Sequence, residues 1–282
     1  MKLGAHLSIS NGFSGAVREI HEIGGNCLQI FSSPPQSWQE PDIENIDVEE
    51  FQSVRKDLGV DPFYFHASYL INLADDGRVG HLSKKLLKKE LKVASKLDIK
   101  GSVIHVGTFK DRSNESVVGH EDFGILVNNI QEVLSDSPED TLFLIENSGN
   151  RKVAKFLEEI SVLLAELESD RVKVCLDTAH LHGAGYDLKS KENFKNFLEK
   201  FKETIEFKNL ELWHLNDSKA EFGSFRDEHE NIGEGRVGLE VFENILNHEK
   251  FRDLPFIIET PGFDEKGPDK KNLDKLKELV KK

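Results

Sequence analysis

The sequence predicts a single-domain (β/α)8 TIM barrel that spans residues 1–282 and carries its active site at the C-terminal face of the strands. Short apolar runs of four to six residues alternate eight times with longer amphipathic stretches, as expected of buried parallel strands joined by helices. No change in composition divides the chain, and about 250 residues is a common size for such a barrel as one domain. The alternative is a doubly wound open sheet, which is disfavoured because no Gly-x-Gly-x-x-Gly motif follows the first run.

The eight short apolar runs are the predicted strands. Their composition matches strands buried on both faces, because such strands are almost continuously apolar. In chain order, strands are predicted at Lys2–Leu7, Asn26–Phe31, Pro62–His66, Ser102–His105, Thr141–Glu146, Val172–Asp177, Leu210–His214 and Pro255–Glu259.

The predicted helices contain apolar residues that recur every three or four positions, which places one apolar stripe on each helix. The clearest stripes lie in Gly12–Gly24, Leu82–Leu97 and Arg151–Leu167. Five further helices with a less regular pattern are predicted near Val48–Leu58, Ser116–Leu134, Lys191–Phe207, Leu239–Asn247 and Lys270–Val280.

The composition is that of an ordinary soluble protein, with 38% apolar and 31% charged residues. No apolar run approaches the roughly 20 residues that span a bilayer, and the N-terminus lacks the cleavage site of a signal peptide, so we expect no membrane association. Cys27 and Cys175 both lie in predicted strands, where we expect buried free thiols. This pattern favours a reducing, cytoplasmic location.

The net charge of −14 argues against nucleic acid as a partner, because phosphate contacts require lysine and arginine. Binding of DNA would therefore require a polarised molecule with a positive mouth and a negative base. The loops that follow the predicted strands contain Lys110, Arg112, Arg151, Lys152, Lys189, Lys191, Lys219, Arg226 and Arg236. Acidic stretches at residues 135–140 and 166–170 fall at the opposite end of the predicted barrel. The alternative is that the negative charge mainly serves solubility.

Nine potential metal ligands lie at the ends of the last six predicted strands or in the loops after them, and these ends meet at one face of a barrel. The nine are His66, His105, Glu146, Asp177, His180, His214, Asp227, His229 and Glu259. A single histidine of this kind is more often a core residue, and Asp177 alone could be a helix N-cap. However, uncompensated carboxylates do not crowd into one mouth, because like charges destabilise one another. The set as a whole therefore predicts bound cations.

The ligand types indicate which ions these would be. Nitrogen and oxygen donors without cysteine favour Zn²⁺, with Mn²⁺ or Fe²⁺ as alternatives. Catalytic zinc typically takes three protein ligands and leaves one position open. Nine ligands would therefore serve about three ions, with a carboxylate able to bridge two of them.

Seven motifs are distributed over the whole chain: GAHLSISNGF (4–13), HASYLINL (66–73), VIHVGTF (103–109), LIENSGN (144–150), VCLDTAHLHGAGYDL (174–188), HLNDSKAEFGSFRDEHENIGEG (214–235) and IIETPG (257–262). Together they resemble the endonuclease IV family of apurinic/apyrimidinic (AP) endonucleases, within the xylose isomerase-like barrels. The resemblance implies a trinuclear zinc site. It assigns His66 and His105 to one zinc, with Glu146 bridging to a second zinc held by Asp177, His214 and Glu259. It assigns His180, Asp227 and His229 to the third zinc.

The resemblance also implies contacts to DNA. Tyr69 and Leu70, in the loop after His66, match family positions that enter the DNA at the abasic site. Gln36 stands in the segment SPPQSW (33–38), where the family often has a basic residue that fills the gap in the base stack. The chain departs from the family at this position. His182 has no ligand counterpart in the family, and a supporting or phosphate-contacting role for His6 is only a hypothesis.

The activity that the resemblance implies is hydrolysis of the phosphodiester bond 5′ to an abasic site in double-stranded DNA, during base excision repair. The products would be a 3′-hydroxyl and a 5′-deoxyribose phosphate, and blocked 3′ ends would be further substrates. Glu146 would be the catalytic carboxylate that positions a hydroxide shared by two zinc ions. This hydroxide would form near neutral pH, because zinc lowers the pKa of bound water to about 7. An abasic nucleotide also costs little to extrude from the duplex. The enzyme is expected to be a monomer.

Two other classes of function are consistent with the barrel. A metal-dependent sugar isomerase or epimerase needs one or two ions and would have no use for the set His180, Asp227 and His229. A catalytically weak DNA-binding relative would lack the bridging carboxylate, and Glu146 is present. Both alternatives are therefore disfavoured relative to the endonuclease.

Overall fold

The computed structural model describes residues 1–110, 117 and 119–281. Its barrel strands are β1 (Lys2–Leu7), β2 (Cys27–Phe31), β3 (Phe63–His66), β4 (Gly101–Ile104), β5 (Leu142–Glu146), β6 (Val172–Asp177), β7 (Leu210–His214) and β10 (Pro255–Ile258). These strands close into a barrel in the order β1-β10-β7-β6-β5-β4-β3-β2, and each is parallel to both neighbours. The predicted (β/α)8 fold is confirmed, and the open sheet is excluded.

Helices in the described part of the chain are α1 (Gly12–Glu22), α2 (Val48–Leu58), α3 (Arg78–Lys96), α4 (Phe123–Ser135), α5 (Leu157–Leu167), α6 (Thr178–Gly183), α7 (Lys191–Thr204), α8 (Leu239–Leu246) and α9 (Lys270–Glu278). Their apolar stripes pack against the outer face of the barrel in one continuous core. No helix in this part of the chain is both long and apolar enough to cross a membrane.

Three predicted helix starts differ from the structure. Helix α3 begins at Arg78, four residues before the predicted start at Leu82. Helix α4 begins at Phe123 and not at Ser116, which lies outside the described residues. Helix α5 begins at Leu157 and not at Arg151, because the preceding residues form a turn in which Ala154 has a φ of 71°. In this turn the backbone N–H of Val153 donates to the carbonyl of Gly107, at 2.9 Å. The apolar side chain of Val153 is therefore buried without being helical.

Two small elements at the C-terminal face were not predicted from the sequence. Helix α6 follows β6 directly, and the Asp177 carboxylate caps it by accepting a hydrogen bond from the His180 N–H, at 2.9 Å. Strands β8 (Asp217–Ser218) and β9 (His229–Glu230) form an antiparallel pair. Both elements lie next to the predicted ligands and position them.

The inside of the barrel contains an apolar layer with a polar layer above it. The apolar layer consists of Cys27, Tyr64, Val103, Leu144, Cys175, Leu212 and Ile257. Side chains alternate along a strand, so the residue two positions later also faces inwards. These later positions hold Gln29, His66, His105, Glu146, Asp177, His214 and Glu259. The strand register therefore delivers six of the nine predicted ligands to one level of the barrel.

The two cysteines of the apolar layer are neutral, free thiols. Cys27 and Cys175 are free and fully buried, as predicted. Strand β1 approaches β2 closely at this level: a Cβ added to Gly4 would lie only 1.8 Å from the carbonyl oxygen of Cys27. Only glycine therefore fits at this position of β1. Burial raises the pKa of the Cys175 thiol to about 12, which keeps it neutral.

Candidate metal centre

The carboxylate of Glu146 lies at the middle of the polar layer and is fully buried. Its Oε2 atom is 3.2 Å from Nε2 of His66 and 3.2 Å from Nε2 of His105. Its Oε1 atom is 3.1 Å from Nδ1 of His214 and 3.3 Å from Nδ1 of His180. The two oxygens of one carboxylate therefore face two separate pairs of histidines.

A second group of ligand atoms surrounds His214. The Nδ1 atom of His214 lies 3.4 Å from Oε2 of Glu259 and 3.8 Å from Oδ2 of Asp177. Together with Glu146, these residues offer four ligand atoms that all lie within 4.8 Å of one another. The grouping agrees with the second predicted metal position.

The third predicted group is connected through Asp227. Its Oδ1 atom lies 3.0 Å from Nε2 of His180 and 3.5 Å from Nε2 of His229. Within a limit of 4.8 Å, however, His180 forms one group with Asp177 and His229 and another with His105 and Asp227. All nine predicted ligands converge. Asp227 lies close to His180 and to His229, but one set of ligand atoms from all three residues does not lie within that limit in the described residues.

Four of the histidines use one ring nitrogen for a supporting hydrogen bond and direct the other towards carboxylates. His66 donates from Nδ1 to the carbonyl of Ala67, His180 from Nδ1 to that of Asn147, His229 from Nδ1 to that of Glu259, and His214 from Nε2 to the side chain of Gln29. Such bonds fix the tautomer and leave an unprotonated nitrogen for a metal ion. This pattern is typical of metal-ligating histidines.

The arrangement fits divalent metal ions. Within the described residues, the buried Nε2 atoms of His180 and His229 have no hydrogen-bond partner and face the oxygens of Asp227. An unprotonated ring nitrogen and a carboxylate are both electron-pair donors, so a cation between them is needed for attraction. Ligand atoms of a tetrahedral zinc, with bonds of about 2.0–2.1 Å, lie about 3.3 Å apart. The observed nitrogen–oxygen separations of 3.0–3.5 Å are close to that value.

The pKa shifts show the same electrostatic coupling. Burial alone would raise the pKa of Glu146, but His105 and His214 hold that pKa well below its usual range. Burial alone would lower the pKa of His180, but the charges of Asp177 and Asp227 raise it well above the usual value. Burial lowers the pKa of His105 to about 3, which keeps its ring neutral. The carboxylates therefore depend on positive charge in the cluster, which either protons or metal ions supply.

Gln29, which the sequence analysis did not identify, connects two ligands. Its side-chain oxygen accepts from Nε2 of His214 at 2.9 Å, and its Nε2 donates to Oε1 of Glu259 at 2.7 Å. His6 contacts the same Oε1 atom through Nδ1, at 2.8 Å. The available sequence signal was a polar residue in the middle of an apolar predicted strand, and the structure shows that this residue is fully buried. The hypothesis that His6 supports the site agrees with its contact to Glu259.

Asn216 supports the site from the loop after β7. Its Nδ2 donates to Oδ2 of Asp177 at 2.6 Å, and its Oδ1 accepts from the backbone N–H of Glu259 at 2.7 Å. Both bonds are buried or partly buried. The amide thus holds two of the proposed ligands at a fixed separation.

A cavity of about 810 Å³ opens above the ligands. It is lined by ligand residues and by Phe31, Pro34, Pro35 and Tyr69. Tyr69 is 56% exposed, and the carbonyl of Pro35 accepts hydrogen bonds from its N–H (3.0 Å) and from the Ser68 hydroxyl (2.7 Å). These bonds join the loop of Tyr69 and Leu70 to the loop that carries the exposed Gln36. The residues proposed to contact DNA therefore lie on two connected loops beside the cavity.

His182 lies outside the centre, as expected. It donates from Nε2 to the carbonyl of Ala220 and lines a separate cavity of about 140 Å³ together with Phe222. His180 and His182 thus face different cavities from the same short helix α6.

Four of the basic residues predicted around the mouth of the barrel form ion pairs with acidic residues, which offset part of their positive charge. The pairs are Lys110 with Asp75 (4.0 Å), Lys219 with Glu230 (3.7 Å), Arg226 with Glu228 (3.7 Å) and Arg236 with Glu221 (2.9 Å). Exposed pairs of this kind contribute about 0–1 kcal/mol each. Lys266, which was not predicted, also lines the large cavity, and Arg112 lies outside the described residues. The polarised charge distribution stays a prediction.

The barrel and the ligand arrangement define the class of the protein as a xylose isomerase-like barrel with a histidine–carboxylate centre. The family described as xylose isomerase-like TIM barrel matches residues 17–282. A relative from Haloarcula marismortui, named probable endonuclease 4, is 38% identical over 288 residues that cover 99% of both chains. The crystal structure of endonuclease IV from Thermus thermophilus has a TM-score of 0.85 at 29% identity, covering 99% of this chain and 98% of that one. The chain belongs to the endonuclease IV family.

The same barrel also occurs in sugar-converting enzymes. The structure of 3-keto-D-glucoside 4-epimerase from E. coli has a TM-score of 0.67 at 17% identity, covering 99% of this chain and 98% of that one. At this identity the likeness shows the fold alone. The predicted family and enzyme class are confirmed, because the full-length relatives with 29–38% sequence identity named above are both endonucleases.

Proposed function

We propose that the protein is a zinc-dependent AP endonuclease of base excision repair. It hydrolyses the phosphodiester bond 5′ to an abasic site in double-stranded DNA and leaves a 3′-hydroxyl and a 5′-deoxyribose phosphate. It also removes blocking groups from 3′ ends. The observation that carries the proposal is the convergence of nine nitrogen and oxygen ligands on one buried centre, in a chain of the endonuclease IV family.

The proposed centre holds three zinc ions, with Mn²⁺ or Fe²⁺ as alternatives in single positions. His66, His105 and Glu146 hold the first ion, and Glu146 shares the second with Asp177, His214 and Glu259. His180, Asp227 and His229 hold the third. The division is supported by Glu146, whose Oε2 faces His66 and His105 while its Oε1 faces His214, and by the position of Asp227 between His180 and His229.

The chemistry requires a nucleophile and neutralisation of the phosphoryl charge. Bound zinc supplies both functions, because it lowers the pKa of water to about 7 and polarises a phosphoryl oxygen. The protein contributes fixed geometry: Gln29 and Asn216 hold His214, Glu259 and Asp177 in place. Glu146 stays ionised at neutral pH because its pKa is held well below the usual range, so it can serve two cations at once.

Substrate specificity is proposed to come from the two loops beside the cavity. Tyr69 and Leu70 enter the duplex, and Gln36 faces the gap that the missing base leaves. An exposed aromatic ring can stack on bases without sequence preference. The abasic nucleotide then turns into the cavity, at little cost because it has no base to unstack.

The experiment uses the metal-loaded protein and a duplex with one abasic site, with metal content measured in the same sample. We expect a nick on the 5′ side of the lesion, a 3′-hydroxyl product that a polymerase extends, and about three zinc ions per chain. His180→Ala should lose activity and metal. His182→Ala is the matched control, because its ring lies on the same helix but faces the other cavity.

Two outcomes would contradict the proposal. One is a metal-loaded protein that leaves the abasic duplex intact. The other is epimerisation of a ketose with only one or two bound ions, which would favour the sugar-converting alternative. The second outcome is disfavoured because the third ligand group has no use in that chemistry.

A further inference from the structure

The loop between β8 and β9 carries Asp227 and leads directly into His229, two proposed ligands of the third metal. Its backbone is attached to α6 at two points: Gly223 N–H donates to the carbonyl of His182 and Phe225 N–H to that of Gly183, both at 3.0 Å. Gly183 lies so close to the loop that a Cβ there would be 2.8 Å from the carbonyl oxygen of Arg226. The position of the loop is therefore set by contacts with its surroundings.

Phe225 has an unusual backbone conformation in this loop. Its φ is 55°, in the left-handed region that non-glycine residues rarely adopt. Such a conformation persists only where the surrounding structure determines it. The residue lies two positions before Asp227, so relaxation of Phe225 would move that carboxylate.

The side chain of Phe225 packs against a buried lysine. The ammonium of Lys155 lies 4.6 Å from the ring centroid of Phe225 and 4.7 Å from that of Phe156, and the two rings are 6.4 Å apart and nearly perpendicular. Lys155 is only 2% exposed, although lysine is almost never fully buried unless it is paired. Removal from water strengthens a cation–π interaction, so both rings hold this ammonium more strongly than they would at the surface.

Lys155 also belongs to the segment that supports the other side of the third site. The β5–α5 segment (147–156) begins at Asn147, whose carbonyl accepts from Nδ1 of His180 at 2.9 Å. At its end, the backbone N–H of Lys155 donates to the carboxylate of Glu159 in α5, at 3.0 Å. One segment therefore orients His180 at its start and contacts the loop of Asp227 at its end.

We infer that Lys155 is a positioning residue for the third metal, acting through the ring of Phe225. The ammonium in contact with both rings holds Phe225 in its left-handed conformation, and this conformation directs Asp227 and His229 towards His180. The inference rests on the proposed function, since it takes these three residues as ligands of one ion. Within the described residues, the contacts of this stack do not include a ligand of the first or second metal position, so these two positions should not depend on it.

The test replaces Lys155 by methionine, which keeps the apolar stem and removes the charge. We expect the dissociation constant of one zinc ion to rise about 5- to 30-fold, with the other two unchanged, as measured by chelator competition. Lys155→Arg and Phe225→Tyr should retain tight binding, because a guanidinium and a phenol ring preserve the interaction. Phe225→Leu should lose it. The matched control is Lys200→Met, which removes a lysine 5.4 Å from the ring of Tyr186, in the outer helix α7.

A second readout does not require metal. In the metal-free protein, Lys155→Met should increase the hydrogen exchange of the Phe225 and Gly223 amides, and Lys200→Met should not. If the wild type binds fewer than three ions, the proposed metal centre fails, and the exchange rates still test the contact.

Two outcomes would overturn the inference itself. The first is unchanged zinc affinity and unchanged amide exchange in Lys155→Met. The second is an equal weakening of all three ions with a lower melting temperature, which would mean that Lys155 only stabilises the fold. If Lys155→Met does not fold, the comparison of Phe225→Leu with Phe225→Tyr decides between the same outcomes.

Discussion

His214 donates a hydrogen bond from Nε2 to the side-chain oxygen of Gln29, at 2.9 Å, across the interior of the barrel. The bond places a proton on Nε2 of His214, so in the neutral ring Nδ1 is the nitrogen free to bind a metal ion, and it is directed at Glu146, Asp177 and Glu259. The other end of the Gln29 amide donates to Glu259. A single glutamine in β2 thus orients two proposed ligands that come from β7 and from the end of β10.

Gln29→Leu tests this support. The variant removes the acceptor for His214 and the donor to Glu259, so the histidine can adopt the wrong tautomer. We expect zinc affinity at the second position to fall by about 10- to 100-fold, as is usual for loss of such supporting groups. Calorimetric titration of the metal-free protein measures this change. Gln52→Leu is the matched control, since Gln52 donates to the carbonyl of Leu97, far from the ligands. Equal zinc affinity in wild type and Gln29→Leu would contradict the prediction.

His229→Ala separates the third metal from the other two. The ring contacts Asp227 and is half-buried, so its loss removes one proposed ligand without opening the apolar core. We expect two bound ions instead of three and the loss of most nicking activity, with an unchanged circular dichroism spectrum. The exposed His21 in α1 provides the control variant His21→Ala. Full activity with three bound ions would show that this loop is assigned wrongly.

Glu90 gives a prediction about pH and stability. This carboxyl group of α3 is buried between the hydroxyl groups of Ser32 and Ser102. Burial raises its pKa from 4.5 to about 7, against the opposing effect of both hydrogen bonds. Because the pKa of Glu90 is higher in the folded than in the unfolded protein, the folded protein binds more protons than the unfolded one between pH 4.5 and about 7. The free energy of unfolding should therefore fall by roughly 3 kcal/mol as the pH rises from about 4.5 to about 7, and level off above that.

Urea unfolding of metal-free wild type and Glu90→Gln between pH 4.5 and 8 measures this effect. The difference between the two proteins should change across this window, because glutamine does not titrate. Glu132→Gln is the control, because hydrogen bonds from Lys84 and Lys88 lower the pKa of Glu132 to about 2. Glu132 therefore changes the pH dependence of stability only at pH values below 4.5, outside the measured window. A constant difference between wild type and Glu90→Gln would refute the prediction.

Tyr69 tests the proposed DNA contact independently of the metal ions. Tyr69→Ala removes an exposed ring that packs against Phe31 with centroids 5.2 Å apart. We expect affinity for the abasic duplex to fall by about 1–3 kcal/mol, the usual value of an aromatic stack on a base, with metal content unchanged. Tyr69→Phe keeps the ring and should bind almost as the wild type does. Fluorescence anisotropy with a labelled duplex makes the comparison, and equal binding by all three proteins would exclude the contact.

The barrel and the nine converging residues could be predicted from the sequence because both depend on local patterns. Apolar runs such as Thr141–Glu146 end in the residues that a barrel brings to one face, so position in the chain already implies position in space. The starts of α3, α4 and α5 were predicted less well. Val153 continues the apolar stripe of α5, but it is buried by a turn at Ala154 and not by a helix.

The tertiary structure alone decided how the ligands are oriented. Gln29 contacts His214 across 185 residues of sequence, and Lys155 of the β5–α5 segment contacts Phe225 of the loop between β8 and β9. No local pattern encodes these contacts, because each depends on two segments that meet only when the barrel closes. The same reason explains why His180 contacts ligands of more than one predicted group. The sequence by itself determined which residues meet and the family to which the chain belongs, whereas the closed barrel decided which nitrogen of each ring faces the centre.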